Sequence, residues 1–231
     1  RRDWSSADDV GHKTMSASLA DVAAMGARPW VAVVAFGAPA ELPAEWAIAC
    51  AAGMSSQAQA AGASVVGGDV SAAEQITVSV TLIGDLDGGR PVLRSAAQPG
   101  DVVAVAGRLG WSAAGLALLG AGKRGEDASA TVAEVIDAHC RPRPPYGLGP
   151  AARQAEATAM IDVSDGLLAD AEHIARASGI VIRLEPALLS PDPVLVDAAR
   201  HLMEADPAVS AASAEAIASS WVLTGGEDLS L

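Results

Sequence analysis

The sequence predicts an α/β (α+β) protein built from two domains. Apolar residues at helical spacing alternate along the chain with short runs of β-branched residues, which is the pattern of an α/β fold. A connection rich in glycine and proline over 87–99 interrupts this alternation. The 231 residues suffice for one large or two small domains. We therefore place a boundary between an N-terminal domain, 1–92, and a C-terminal domain, 93–231.

Two helices and three strands are predicted in the first domain. Met15, Leu19 and Val22 recur at helical spacing, and Gly26 ends that helix. Pro43 is suited to the first position of the next helix, because its missing N–H has no intrahelical partner there. The predicted helices cover 12–25 and 43–62, and the predicted strands cover 30–36, 63–66 and 76–82, with a turn at 67–69.

The second domain is predicted to continue the alternation. Arg141-Pro142-Arg143-Pro144-Pro145 must be extended, because proline disfavours helix at itself and at the preceding residue. The predicted helices cover 112–119, 130–140, 149–156, 166–178, 195–204 and 214–219, and the predicted strands cover 101–106, 158–163, 180–184 and 221–224.

Composition excludes some classes of function. The net charge of −13 argues against an extended basic surface for nucleic acid. The sequence has no apolar run of about 20 residues and no secretory pattern, which predicts a cytoplasmic protein that does not enter a membrane. Cys50 and Cys140 lack metal-ligand spacing and are predicted to be buried structural thiols. Because the sequence opens at Arg1 and stops at Leu231 in a predicted loop, we expect both ends to be incomplete.

The most informative stretch is Asp162-Val163-Ser164-Asp165-Gly166, where a predicted strand turns into a predicted helix. Carboxylates there can bind a metal ion while N–H groups at the helix start receive phosphate oxygens. The simpler alternative is that Ser164 or Asp165 only caps the helix. A cap leaves Asp162, at the end of an apolar strand, as a carboxylate that needs a partner. The residues alone leave the two interpretations about equally supported.

Three further residues have both a functional and an ordinary interpretation. Asp69 follows Gly67-Gly68, either in a plain tight turn or where glycines let a phosphate approach the backbone. Asp21 is either a solvent-facing acid on a helix or a metal ligand, and Arg94 is either a solvated arginine or a phosphate clamp. If the acids converge in the fold, they could hold a hard divalent cation with a polyphosphate.

Several common sites for phosphate or nucleophilic chemistry are missing from the sequence. It contains neither a Walker-type loop nor a dinucleotide-binding glycine motif. His12, His139, His173 and His201 form no recognisable ligand pair. Any phosphate chemistry should therefore depend on carboxylates and bound metal.

The order of the motifs resembles the thiamine-monophosphate kinase family, within the superfamily of aminoimidazole ribonucleotide synthetase. The matching strings are D-V-A-A-M-G-A-R-P from Asp21, G-G-D ending at Asp69, L-R-S-A-A-Q-P-G-D from Leu93, I-D-V-S-D-G-L-L-A-D from Ile161 and G-G-E-D from Gly225. The resemblance spans nearly the whole chain. It implies a two-domain aminoimidazole ribonucleotide synthetase-like fold whose N-terminal domain binds ATP and metal and pairs its sheet across a homodimer.

The resemblance also implies an activity and residue roles. The activity is ATP-dependent phosphorylation of thiamine monophosphate to thiamine diphosphate by direct in-line transfer with several Mg²⁺ ions, and a role for K⁺ stays open. The implied metal ligands are Asp21, Asp69, Asp162 and Asp165, of which Asp162 and Asp165 are the catalytic candidates. The implied ATP contacts are Gly68, Asp69, Arg94 and Ser164, and Glu227 would contact the thiamine end of the acceptor.

The chain departs from the family pattern at both ends. A G-D-D segment and a T-D strand ending in histidine would precede Arg1, and Tyr-Glu-Leu would follow G-G-E, where this chain has Asp228-Leu229-Ser230-Leu231. Two alternatives stay open. One is a sister enzyme of the selenophosphate synthetase or aminoimidazole ribonucleotide synthetase type, and the other is a non-catalytic dimeric nucleotide-binding scaffold. The D-V-A-A-M-G-A version of the helix favours the thiamine enzyme.

Overall fold

The computed structural model describes residues 2–124, 129–209 and 211–231. It divides into two compact units, each considered by itself. The first holds the chain up to Val92 together with Pro145–Met160, and the second holds Leu93–Pro144 with Ile161–Leu231. The first unit leaves the chain after Val92, where the sequence analysis places its boundary, and it also includes 145–160, which the sequence analysis places with 93–231. The assignment of 1–92 and 93–231 as domains stays a prediction.

The helices lie largely where the sequence predicts them. The helices are α1 (Ala7–Ala24), α2 (Ala44–Ala60), α3 (Trp111–Gly120), α4 (Ala130–Cys140), α5 (Leu148–Gln154), α6 (Leu167–Ser178), α7 (Pro193–Ala205) and α8 (Ala214–Thr224). The strands are β1 (Arg28–Ala38), β2 (Ser64–Ala72) and β3 (Thr77–Asp85), and short 3₁₀ turns lie at Pro186–Leu188 and Pro207–Val209. The predicted α/β fold class is confirmed. Helix α1 begins five residues before the predicted start, because Ser6 and Asp9 form a capping box there.

The sheet of the first unit has the order β2-β1-β3, with β1 parallel to β2 and antiparallel to β3. Side chains of β1 alternate, so that Ala32, Val34 and Phe36 are buried in a core shared with α1 and α2. On the other face of β1, Val33 is 44% exposed. One face of the sheet is therefore covered by helices, and the other face is open within this unit.

The backbones of α1 and α2 approach each other closely at two glycines. A Cβ atom on Gly11 would overlap the Cys50 carbonyl, and one on Gly53 would overlap the Asp8 carbonyl. The buried side chains of Met15, on α1, and Met54, on α2, belong to the core that these helices share with β1. The two glycines thus determine how closely α1 and α2 approach each other above the sheet.

The segment 145–160 is held on the first unit by polar contacts of its own side chains. Gln57 Nε2 donates to the Tyr146 hydroxyl at 2.6 Å, and Arg153 Nε donates to the Gly26 carbonyl at 3.0 Å. Burial raises the pKa of Tyr146, and hydrogen bonds with Ser16 and Gln57 offset part of that rise. These contacts join residues far apart in sequence, which explains why local patterns assigned the segment to the second domain.

The second unit is built around a helical core. Helices α3, α4, α7 and α8 contribute buried side chains that include Leu118, Val135, Leu195 and Ala218. The predicted strand at 221–224 is wrong, because these residues form the last turn of α8. Val222 lies one helical turn after Ala218, and both are buried on the same face of that helix.

The other strands predicted in the second domain, at 101–106, 158–163 and 180–184, are also wrong. Within the part of the chain that the structure describes, they form no ladder with another strand. A single bridge joins Val163 to Ser230, and Ala106 exchanges two hydrogen bonds with Leu231. Apolar β-branched residues therefore predicted extended segments, but a strand also needs a backbone partner along its length.

The predicted turn at Gly67-Gly68-Asp69 is wrong for the opposite reason. These residues continue β2 and pair with Val33, Val34 and Ala35 of β1. The partner strand is long enough to extend the ladder past both glycines. Gly68 is required by this packing, since a Cβ atom there would overlap the Val34 backbone.

Two smaller expectations from composition can also be compared with the structure. Cys50 and Cys140 are both free and buried, which confirms their prediction as buried thiols. Among the described residues, no helix combines the length and the apolar character that crossing a bilayer requires.

We expect Gly53→Ala to lower the free energy of unfolding by about 1–3 kcal/mol. Alanine favours helix more than glycine does, but the added methyl group forces α1 and α2 apart, and this larger effect should dominate. The measurement is urea unfolding followed by tryptophan fluorescence, since Trp46 lies in α2. Gly147→Ala is the matched control, because a Cβ atom there meets nothing within 4 Å. A Gly53→Ala protein as stable as wild type would contradict the argument.

Candidate active site

Two of the sequence motifs meet within the second unit. The Glu227 N–H donates to the Ser164 carbonyl at 2.8 Å, and the Leu229 N–H donates to the Val163 carbonyl at 2.9 Å. In return, the Val163 N–H donates to the Ser230 carbonyl at 2.7 Å. The G-G-E-D segment therefore runs antiparallel to the acid-bearing turn, 162–166, and the backbone of Glu227 lies beside that of Ser164.

Glycines permit this close approach. A Cβ atom on Gly166 would lie 2.8 Å from the Thr224 carbonyl, and one on Gly226 would lie 2.7 Å from the Ser164 carbonyl. Gly166 also has a φ of 109°, a conformation that strains other residues. The glycines in both motifs thus have a packing role in bringing the acids together.

Asp170 shapes the acid-bearing turn from inside. Its carboxylate accepts the backbone N–H groups of Ser164 and Asp165, both at 3.0 Å, and the residue is only 2% exposed. These two N–H groups, which the sequence made candidates for phosphate, therefore have an internal acceptor. The helix-cap alternative is also wrong, because the N-cap of α6 is Gly166 and no side chain caps it.

This arrangement leaves the Asp165 side chain exposed at the start of α6. Ligand atoms of Asp165, Asp170 and His173 all lie within 4.8 Å of one another. Among the described residues, this is the one set of at least three acidic, histidine or cysteine side chains close enough to hold a metal ion. Two carboxylates suit a hard cation such as Mg²⁺, whereas an imidazole suits transition metals better. The donor set therefore fits a divalent cation.

The sequence reasoning missed Asp170 and His173 as members of this group. The sequence analysis found no ligand pair among the four histidines, but His173 lies close to two aspartates, Asp165 and Asp170. The usable signal was spacing, because residues three apart on a helix lie on one face. Asp162, which was predicted as a ligand, is buried and lies outside this set.

The remaining predicted ligands lie in the first unit. Asp69 is exposed on β2, opposite Ala35, and accepts a hydrogen bond from the Ser71 hydroxyl at 3.0 Å. Asp21 is exposed near the end of α1. The structure thus leaves both carboxylates accessible on the surface of their unit, and their roles as ligands stay predictions.

Arg94 is held at the far end of α6 from the acid-bearing turn. The Ser178 hydroxyl, on the last residue of α6, donates to the Arg94 carbonyl at 2.9 Å and accepts the Ala97 N–H at 3.2 Å. A helix of 12 residues is about 18 Å long. Within this unit, Arg94 and Asp165 therefore lie at opposite ends of α6, and the ATP contact predicted for Arg94 stays a prediction.

Glu227 and Asp228 have different environments although they are neighbours. Asp228 accepts the backbone N–H groups of Gly110, at 2.5 Å, and Ser112, at 2.8 Å, at the start of α3. The Glu227 side chain is 56% exposed, and its Oε2 lies 3.9 Å from His139 Nδ1. Asp228 thus fixes the segment, while the Glu227 side chain beside it is more than half exposed.

Comparison with known proteins gives the following similarities. The family model described as AIR synthase related protein, N-terminal domain, matches residues 2–86. Thiamine-monophosphate kinase of Mycobacterium tuberculosis is 50% identical over 231 residues, which are 100% of this chain and 64% of the relative. This chain therefore spans slightly less than two thirds of that relative's length.

Two solved structures are similar over nearly the whole chain. Thiamine monophosphate kinase from Aquifex aeolicus has a TM-score of 0.83 at 32% identity, covering 97% of this chain and 70% of that one. AaThiL complexed with AMPPCP and TMP has a TM-score of 0.84 at 32% identity, covering 97% of this chain and 67% of that one.

We expect Asp170→Ala to destabilise the second unit by about 2–3 kcal/mol, because two N–H groups lose a charged acceptor. Urea unfolding in the presence of EDTA measures this effect without a contribution from bound metal. The control is Asp192→Ala, which removes one exposed cap bond at the start of α7 and should cost about 1 kcal/mol. Equal losses in the two variants would mean that Asp170 does not hold the turn.

Proposed function

The chain belongs to the thiamine-monophosphate kinase family, and on that premise we propose that the protein transfers a phosphoryl group from ATP to thiamine monophosphate, giving thiamine diphosphate. The observation that carries the proposal is the pairing of Ser164 with Glu227, which brings a predicted ATP contact beside a predicted contact for the acceptor. The similarity to AaThiL, a protein complexed with AMPPCP and TMP, supports the same pair of substrates.

The electrostatics of the reaction agree with this proposal. ATP and thiamine monophosphate are both anionic at their reacting ends, while this chain itself carries a net charge of −13. Mg²⁺, when bound, would neutralise part of the charge on the phosphates. Asp165 and Asp170 are the side chains whose geometry fits such an ion best. Asp21, Asp69 and Asp162 are proposed as further ligands from the family pattern, and a role for K⁺ stays open.

Glu227 is suited to the other end of the acceptor. The thiazolium ring of thiamine carries a permanent positive charge, and a half-exposed carboxylate can approach it without being desolvated beforehand. The backbone of Glu227 is fixed by its hydrogen bond to Ser164. We therefore propose that Glu227 orients the acceptor while Ser164, Arg94, Gly68 and Asp69 contact ATP.

The proposed transfer is direct and in line. The acceptor phosphate is already ionised, so the reaction has little need of a strong protein base or a phosphoenzyme. Catalysis then depends on alignment and on stabilising charge, for which Asp162 and Asp165 are the proposed residues. A sister activity of the selenophosphate synthetase or aminoimidazole ribonucleotide synthetase type would use the same ATP site. The 50% identity to a thiamine-monophosphate kinase favours the thiamine acceptor.

The open sheet face of the first unit supports a proposed homodimer. Val31, Val33 and Ala35 of β1 lie on this face with Ile83 of β3, by the register of the ladder. Val33, on the central strand, and Ile83, on β3 beside it, are 44% and 54% exposed, so this face presents large apolar side chains to solvent. A second copy packed against this face would bury them.

The activity is tested with full-length protein by measuring Mg²⁺-dependent ADP formation with and without thiamine monophosphate. We expect the acceptor to stimulate ADP formation strongly. Stimulation by a different acceptor, and not by thiamine monophosphate, would favour a sister enzyme. Nucleotide binding without any stimulated turnover would favour a scaffold and refute the proposal.

In the same assay, we expect Asp165→Asn to lower turnover by a factor of at least about 100, because an exposed ligand of the metal and phosphates loses its charge. Circular dichroism and the melting temperature should be unchanged, since the Asp165 side chain is exposed and forms no cap. Asp192→Asn, at the start of α7, is the control and should retain activity. Near-normal activity of Asp165→Asn would refute its proposed role.

The dimer is tested by sedimentation of full-length Val33→Asp. A carboxylate at the centre of the buried face should shift the protein to monomers. Leu188→Asp, at an apolar residue that is 83% exposed in the second unit, should leave the dimer intact. A Val33→Asp protein that sediments like wild type would exclude this face as the interface.

A further inference from the structure

A buried histidine lies behind the proposed acceptor contact. His139, in the last turn of α4, is 8% exposed, and its Nδ1 lies 3.0 Å from the Ser112 hydroxyl and 3.9 Å from Glu227 Oε2. Ser112 is itself buried, in the first turn of α3. A buried polar pair therefore faces a carboxylate that is more than half exposed.

The backbone around this group is held from several sides. Asp228 is tied to the N-terminus of α3, and the Glu227 N–H is tied to Ser164. Glu227 also has a φ of 62°, which a non-glycine residue adopts only where its surroundings enforce it. The backbone of Glu227 is thus fixed close to His139.

The position of His139 is equally constrained. Helices α3 and α4 pack closely at Gly115, where a Cβ atom would overlap the Val135 carbonyl and lie 2.8 Å from His139 Cβ. The backbone of α4 at His139 is therefore held against α3, which keeps the imidazole beside Ser112.

We infer that His139 is a positioning residue that, together with Ser112, orients the Glu227 carboxylate toward the cationic part of the acceptor. The distance of 3.9 Å from Nδ1 to Oε2 exceeds that of a direct hydrogen bond. In the protonated imidazole, Nδ1–H donates to the Ser112 hydroxyl at 3.0 Å while the positive charge of the ring attracts the Glu227 carboxylate. His139 acts through Glu227 and does not itself touch the substrate. This inference rests on the proposed function, since it assigns specificity to the same site.

Two substitutions at His139 separate a positioning role from a packing role. In asparagine, the side-chain amide nitrogen can occupy the place of Nδ1, whereas in glutamine it reaches the place of Nε2. His139→Gln of the full-length protein should therefore raise the KM for thiamine monophosphate about 10-fold, with the KM for ATP unchanged. His139→Asn should recover most of the loss.

His201→Gln is the matched control. His201 also contacts a serine, with Nε2 2.9 Å from the Ser129 hydroxyl, and it also lies near acids, Asp197 and Glu204. His201 belongs to α7 and is not part of the G-G-E-D motif that contains Glu227. His201→Gln should therefore have wild-type KM values for thiamine monophosphate and ATP.

A double-mutant cycle gives a result that packing alone would not produce. In a Glu227→Gln background, His139→Gln should have little further effect on the KM for thiamine monophosphate, because the carboxylate that it orients is gone. Additive effects of the two substitutions on the KM for thiamine monophosphate would overturn the inference. So would a wild-type KM in His139→Gln, or an equal rise in KM in both His139 variants together with a lowered melting temperature. A wild-type protein without acceptor-stimulated ADP formation would instead overturn the proposed function, and with it this inference.

Discussion

Backbone hydrogen bonds between 163–164 and 227–230 hold two distant parts of the second unit together, and the candidate site exists only where they meet. These bonds require close approach, which Gly166 and Gly226 allow because neither carries a Cβ atom. A side chain at either position would separate Ser164 from Glu227. The site is thus defined first by backbone geometry, and its charged side chains depend on that geometry for their positions.

Carboxylates of similar appearance in the sequence divide between structural and exposed positions. Asp170 and Asp228 each accept two backbone N–H groups, one pair in the acid-bearing turn and one pair at the start of α3. Because these two acids satisfy the backbone, Asp165 and Glu227 are left exposed. The structural acids therefore make the proposed functional acids available, and a mutation in either class would reduce activity for a different reason.

The first unit combines a tightly packed helical layer with an open sheet face. Gly11 and Gly53 let α1 and α2 cross in contact over the buried face of β1, which stabilises that side of the sheet. The opposite face presents apolar side chains and also Asp69, since Asp69 pairs with Ala35. A predicted metal ligand and the proposed dimer surface thus lie on the same face of the sheet.

Local patterns determined a large part of this protein. Helical spacing and proline and glycine signals were enough for the α/β class, the helices and the position of the first boundary, because these depend on residues within one or two turns of each other. Motif order was enough for the family, and it selected Asp165 and Glu227 as candidates. Only the tertiary structure decided which apolar segments become strands, because a ladder needs a partner strand that local sequence does not reveal. Pairing with β1 extends β2 through Gly67 and Gly68. The segments 101–106 and 180–184 find no such partner among the described residues. The tertiary structure likewise decided that 145–160 packs on the first unit, that Asp170 closes the turn, and that His139 faces Glu227, because each of these depends on contacts between residues that only folding brings together.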